Sequence, residues 1–170
     1  MPNDTDVYEG GCACGHVRYR VVSQPLIVHC CHCSWCQRQN GSAFAVNALV
    51  EADRIKLLQG DVAEILVPSP SGKDQRIARC PKCQVAVWSN YLIFFKGMLG
   101  DAIRFIRVGT LDDPSKMPPD VHIYTSSKQP WVTLPADAQV AEEYYVTKDV
   151  WSKESLERLA TLVAAAQDPG

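Results

Sequence analysis

The stretch Cys30-Cys31-His32-Cys33-Ser34-Trp35-Cys36 holds four of the eight cysteines of this 170-residue chain. Three of them, Cys31, Cys33 and Cys36, form a C-x-C-x-x-C motif. Thiolates at this spacing can point at one centre when the backbone turns tightly, and short knuckles of this type bind Zn²⁺ tetrahedrally. The stretch therefore predicts a local metal site.

Two further cysteine pairs flank this motif at a distance, a C-x-C pair at Cys12 and Cys14 and a C-x-x-C pair at Cys80 and Cys83. Spacing alone leaves two partitions open. In one, the 33/36 pair joins the 80/83 pair as an ordinary zinc ribbon. In the other, the 12/14 and 80/83 pairs form one site and leave a separate three-sulfur site. The second partition keeps each cluster intact and is favoured. A site with four cysteines is closed, whereas three protein ligands leave a position open for water or substrate.

Composition restricts the classes of protein to which the chain can belong. The formal charge is −2 and no strongly basic run is present, which argues against a nucleic-acid partner. No apolar run approaches the roughly 20 residues that a membrane span needs. The polar start lacks the pattern of a secretory signal, so we expect a cytoplasmic protein. In a reducing compartment, eight thiols are expected as metal ligands or catalytic groups rather than disulfides.

The pattern of apolar residues predicts a mainly β single domain. Apolar and charged residues alternate over 17–21, as expected for a half-buried strand, and the segment 43–50, apolar except for Asn47, is a further strand candidate. The C-terminal end differs, because Ser152 can cap a helix near 153–167 with Leu156, Leu159 and Val163 on one face. We expect this helix to pack on the same domain.

Several motifs, in this order, resemble those of the glutathione-dependent formaldehyde-activating enzyme family, to which centromere protein V is also similar. The matching segments are Gly11–Tyr19, Cys31–Phe44, Cys80–Cys83, Gly109–Asp113 and His122–Tyr124, followed by Trp131. The resemblance covers about residues 8–135 and leaves 136–170 as a C-terminal extension.

The resemblance implies an Mss4-like fold of several small, curved antiparallel sheets stapled by zinc. It also implies two zinc ions, a structural one on Cys12, Cys14, Cys80 and Cys83 and a catalytic one on Cys31, Cys33 and Cys36. The implied activity is that of a carbon–sulfur lyase, which forms or cleaves a thiol adduct such as S-hydroxymethylglutathione. The implied partners are a small thiol such as glutathione and an aldehyde such as formaldehyde.

Two further expectations concern single residues. Glutathione carries two carboxylates, so a cation is expected near the site; Arg38 follows the central motif directly and is the first candidate, with Lys96 as the second. Gln84 stands where the family usually has glycine, which predicts a turn that either avoids a positive φ or is strained there.

Two other classes of function remain open at this point. The domain can be a non-catalytic zinc module that binds a partner, or a purely structural domain with two closed zinc sites. Metal content and access to the three-cysteine site discriminate these classes from an enzyme.

Overall fold

The computed structural model describes residues 7–167, which form ten strands, three α-helices and several short 3-10 turns. The strands are β1 Tyr8–Gly11, β2 Arg18–Val21, β3 Ile27–Cys31, β4 Ala45–Glu51, β5 Ile55–Gln59, β6 Ala63–Val67, β7 Gln75–Arg79, β8 Ala86–Tyr91, β9 Ile103–Arg107 and β10 Val121–Ile123. The helices are α1 Ser34–Asn40, α2 Thr147–Val150 and α3 Lys153–Gln167.

The strands form two sheets, so the predicted mainly β class is confirmed. The small sheet has the order β1-β2-β5, and the large sheet has the order β10-β3-β4-β9-β8-β7-β6. All named pairs are antiparallel except β10, which pairs in parallel with β3. The alternation of apolar residues cannot reveal this parallel pair, because a parallel partner arrives through a long crossover rather than a hairpin.

Strand β4 separates two apolar cores by the alternation of its side chains. Ala48 and Val50 face a core shared with the small sheet, whereas Ala45 and Leu49 face a second core. Strand β3 behaves in the same way, since its Cys31 belongs to the second core. This alternation decides which face of β3 each cysteine of the central motif reaches.

Helix α3 packs against the second core through Leu159, which is buried. The Ser152 hydroxyl accepts a hydrogen bond from the Ser155 N–H at 3.1 Å, so Ser152 caps the start of the helix. The buried Glu51 carboxylate at the end of β4 accepts two hydrogen bonds from Arg158, at 2.8 and 2.5 Å. These contacts attach the helix to the large sheet.

The division of the chain at 135/136 stays a prediction, and residues 168–170 of the extension lie outside the described part. None of the helices described over 7–167 has the length and apolar character required to cross a bilayer.

Candidate functional site

One group of four cysteine sulfurs lies where the small sheet meets the β7–β8 hairpin. The ligand atoms of Cys12, Cys14, Cys80 and Cys83 all lie within 4.8 Å of one another. The Sγ atoms of Cys12 and Cys14 are 3.5 Å apart, and those of Cys14 and Cys80 are 3.7 Å apart. A tetrahedral site with Zn–S bonds of about 2.3 Å places its sulfurs about 3.8 Å apart. The donor set and its spacing therefore fit a zinc ion.

Tight turns hold these four sulfurs together. The Val17 N–H donates to the Cys12 sulfur at 3.2 Å, and the Cys83 N–H donates to the Cys80 sulfur at 3.5 Å.

Gln84, which follows this pair, has a φ of 64°. The sequence predicted that this turn either avoids a positive φ or is strained. The second outcome is observed, because a residue other than glycine adopts the left-handed region here. The Gln84 N–H donates to the Cys80 carbonyl at 3.0 Å and helps to hold this conformation.

A second group of three sulfurs lies where β3 leads into α1. The Sγ atoms of Cys31, Cys33 and Cys36 lie within 4.8 Å of one another. Cys31 ends β3, Cys33 is the N-cap of α1, and Cys36 lies in its first turn. The Cys36 N–H donates to the Cys33 sulfur at 3.3 Å, so the same side chain caps the helix and joins the cluster.

The three sulfurs of this cluster shift one another's pKa values. Hydrogen bonds with Cys31 and Cys36 lower the pKa of Cys33 to about 3, and the hydrogen bond with Cys33 raises the pKa of Cys31. The hydrogen bond with Cys31 lowers the pKa of Cys36, but contact with Cys33 and burial outweigh it and bring that pKa to about 11. Cys33 is therefore the sulfur of this cluster that loses its proton most readily. Three converging soft donors of this kind can bind a thiophilic divalent ion such as Zn²⁺.

A buried arginine lies close to this cluster. Arg107, on β9, is 7% exposed and donates from Nη1 to the Asn47 side-chain oxygen at 2.6 Å. Over the described residues, no carboxylate lies within 4.0 Å of its guanidinium. Among the weaker influences on Cys36, the charge of Arg107 acts to lower the thiol pKa. A buried cation without a carboxylate partner calls for another anion, and the thiolate cluster is the anion available.

The three-sulfur cluster opens into a cavity of about 840 Å³. Aromatic side chains supply much of the wall: Trp35, Tyr91, Phe94, Phe95, Phe105, Tyr124 and Tyr144. Within the described chain, Lys96 is the only Lys, Arg, Asp or Glu that lines the cavity. Arg38 is exposed and does not line it, and no member of the four-sulfur group does. The structure thus brings Lys96, and not Arg38, to the cavity wall.

Two residues on the wall were not identified from the sequence as parts of a site. The Tyr91 hydroxyl lies 3.9 Å from the Cys36 sulfur, and burial raises the pKa of Tyr91 well above its usual value, so the hydroxyl stays protonated. Tyr144 lies in the C-terminal extension. No sequence motif marks either tyrosine. The fold brings Tyr91 to Cys36 from strand β8 and Tyr144 towards Cys31 from the C-terminal extension.

A third group of potential ligands lies on the opposite face of β3. The ligand atoms of Cys30, His32 and His122 lie within 4.8 Å of one another, and His122 is the cross-strand partner of Cys30. The rings of His32 and His122 share a hydrogen bond of 3.0 Å. Burial lowers the pKa of both histidines and raises that of Cys30 to about 12. This group is therefore neutral at pH 7, and none of its members lines the cavity.

The chain is similar to known proteins in sequence and in structure. The sequence profile described as glutathione-dependent formaldehyde-activating enzyme matches residues 7–127. A Halomonas elongata protein, provisionally named a glutathione-dependent formaldehyde-activating enzyme, is 27% identical over 135 residues, which are 77% of this chain and 83% of that protein. A solved structure of a Rhodobacter sphaeroides protein is 17% identical, covers 64% of this chain and 93% of its own, and has a TM-score of 0.46. Since the profile spans most of the chain, the protein belongs to the glutathione-dependent formaldehyde-activating enzyme family.

Proposed function

We propose that the protein is a zinc-dependent enzyme of the carbon–sulfur lyase type, which forms or cleaves an adduct between a small thiol such as glutathione and an aldehyde. One observation carries the proposal. The three-sulfur cluster lines a cavity large enough for a substrate, whereas the four-sulfur cluster does not line it. The first arrangement is typical of a catalytic metal site and the second of a structural one. Eight free thiols also favour a reducing compartment, which we propose is the cytoplasm.

The proposal includes two zinc ions per chain, one on each cysteine cluster. A Zn²⁺ ion on Cys31, Cys33 and Cys36 would leave one coordination position open, at which a substrate thiol can be kept deprotonated. Three thiolates and one such ion carry a net charge of −1. The positive charge of Arg107 offsets this charge in a buried environment, where an unpaired anion would be costly.

The reaction itself needs no redox partner. The thiol sulfur attacks the carbonyl carbon of the aldehyde and a C–S bond forms. The π electrons of the C=O bond move to oxygen, which takes the proton that the thiol released. The reverse sequence cleaves the adduct, so that one site serves both directions.

The residues of the cavity have distinct proposed roles in this step. The Tyr91 hydroxyl donates a hydrogen bond to the aldehyde oxygen and stabilises the negative charge that develops there. The ammonium of Lys96 binds a carboxylate of the thiol, the role first considered for Arg38. The buried ring of Phe105, with its centroid 4.8 Å from that of Tyr91, excludes water beside this tyrosine and so strengthens its hydrogen bond.

Calorimetric titration of glutathione into the zinc-loaded protein tests the proposal. We expect Cys33→Ser to weaken glutathione binding strongly, because it removes one of the three thiolates that would hold the ion. The matched control is Cys30→Ser, which removes a thiol from the other face of β3 and should leave the affinity unchanged. Equal affinity in the wild type and Cys33→Ser would overturn the proposed site.

Rates are measured in parallel by NMR exchange between free and adduct-bound thiol, with the spontaneous reaction subtracted. We expect acceleration by the wild type and by Cys30→Ser, and loss of acceleration in Cys33→Ser. If the protein bound two zinc ions and accelerated no thiol–aldehyde pair, the enzymatic proposal would fail and the non-catalytic zinc module would be favoured.

A further inference from the structure

The cavity beside the three-sulfur cluster is larger and more apolar than formaldehyde requires. Four large hydrophobic or aromatic side chains that remain more than a third exposed line this cavity: Ile93, Phe95, Met98 and Tyr144. Exposed apolar residues that gather in one concave surface mark a ligand site, whereas single ones scattered over a surface do not. Formaldehyde has one carbon atom and no apolar group that could occupy such a surface.

Glutathione does not account for the size of the cavity either, because the charged groups that line the cavity do not match those of glutathione. Glutathione carries two carboxylates and one ammonium group, and each needs a partner when it leaves water. Over the described residues, the lining offers one ammonium, that of Lys96, and no carboxylate. The thiol can therefore place one carboxylate at Lys96, while most of the remaining wall stays available to an uncharged group.

The C-terminal extension supplies part of this apolar wall. Tyr144 lies beyond residues 7–127, which match the family profile, and its ring stacks on that of Tyr145 with centroids 4.7 Å apart. The Tyr145 hydroxyl is hydrogen-bonded to the Trp151 ring N–H at 2.7 Å and to His29 Nε2 at 2.5 Å. These contacts hold Tyr145 in place, and the stacking of the two rings positions Tyr144 on the cavity wall.

We propose that the aldehyde handled at this site carries an apolar group of at least the size of a phenyl ring, and that Tyr144 is a specificity-determining residue for that group. This inference rests on the proposed function and narrows its substrate class. The step is the one given above: the thiol adds to the aldehyde carbon, the carbonyl oxygen takes the thiol proton, and a hemithioacetal forms.

The kinetic test compares phenylacetaldehyde with formaldehyde, each with glutathione and the zinc-loaded full chain, after subtraction of the spontaneous rate. We expect kcat/KM to be at least about tenfold higher for phenylacetaldehyde, because its ring contacts the aromatic wall. Tyr144→Ala should lower this value about tenfold and change the value for formaldehyde less than about twofold. The matched control, Val146→Ala, alters an exposed residue of the same segment that does not line the cavity, and both values should stay unchanged.

A binding test complements the rates. Phenylacetamide has the same ring and a carbonyl group but does not form the adduct, so its affinity can be measured by calorimetry without turnover. We expect it to bind the wild type and Val146→Ala equally and Tyr144→Ala about tenfold more weakly.

The outcomes separate the two proposals. If formaldehyde reacts as fast as phenylacetaldehyde and phenylacetamide does not bind, the inference about the substrate is overturned and the proposed function stands. If no thiol–aldehyde pair is accelerated, the proposed function fails, and the substrate inference fails with it.

Discussion

The two cysteine clusters of this protein use the same ligand atom in different surroundings. The four-sulfur cluster offers four ligand atoms, as many as a tetrahedral ion needs, and none of its described members lines the cavity of about 840 Å³. The three-sulfur cluster offers three ligand atoms, and all three of its cysteines line that cavity. Under the proposed function, the number of sulfurs and the access to them, rather than the type of ligand, would separate a site that holds the fold from one that serves chemistry.

The contacts around the clusters differ as well. Near the four-sulfur cluster, distant segments are joined by ion pairs whose members are partly or largely exposed, such as Arg18 with Asp112. Cys14 and Cys80 are also 66 residues apart in the chain, whereas Cys31, Cys33 and Cys36 lie in one short segment, and Cys31 and Cys36 belong to the second apolar core. We therefore expect the fold to depend more on metal at the first cluster than at the second.

The largest expected effect is the loss of the four-sulfur site in Cys80→Ser. Cys80 is fully buried, and a structural zinc site of this kind contributes on the order of 10 kcal/mol to folding. We expect the variant to unfold at room temperature, and the wild type to unfold when a strong chelator removes its zinc. Circular dichroism during heating measures both effects, with Cys30→Ser as the control. An unchanged melting temperature after the zinc has been shown to leave would contradict the comparison.

The next effect concerns the attachment of helix α3, which packs on the same apolar core as Cys31 and Cys36. Arg158→Met should cost about 3 kcal/mol of unfolding free energy, because the buried Glu51 carboxylate loses its bidentate partner. Arg54 remains 3.5 Å from that carboxylate, which places the cost at the lower end of the range for buried pairs. Urea denaturation measures the change.

The control for this variant is Lys153→Ala on the same helix. Its pair with Glu157 is exposed and 3.9 Å long, so the change should be no more than about 0.5 kcal/mol. Equal costs for Arg158→Met and Lys153→Ala would show that the helix is not attached through Glu51.

A smaller effect should distinguish the clusters by charge. Arg107→Met should weaken zinc binding about tenfold at the three-sulfur cluster and leave the four-sulfur cluster unchanged, because Arg107 lies near Cys36 of the three-sulfur cluster. Competition with a coloured chelator resolves the two classes of site.

We expect two zinc ions per wild-type chain. A third ion that disappears in His122→Ala would assign metal binding to the neutral group on the other face of β3.

Sequence spacing was sufficient to propose the local three-sulfur group, because Cys31, Cys33 and Cys36 lie within one turn of chain. It was not sufficient to choose the partner of the 80/83 pair. Cys14 and Cys80 are 66 residues apart, and the register of the sheets brings them together. The same reason explains why Arg107 and Tyr91 could not be proposed from the sequence. Each lies near Cys36 because its strand pairs in the large sheet, and the identity of a single side chain does not reveal which strands pair.

The smallest effect separates the two roles of Cys33, as a member of the cluster and as the N-cap of α1. Cys33→Ser and Cys33→Ala should both abolish catalysis, but serine can still accept the hydrogen bond of the Cys36 N–H whereas alanine cannot. With one equivalent of zinc, which is expected to fill the four-sulfur site, the serine variant should be about 1 kcal/mol more stable to urea. At Cys31, a buried strand position without a capping role, serine should show no advantage over alanine, since its hydroxyl would be buried. If serine were more stable to urea than alanine by the same amount at both positions, the difference at Cys33 could not be assigned to helix capping.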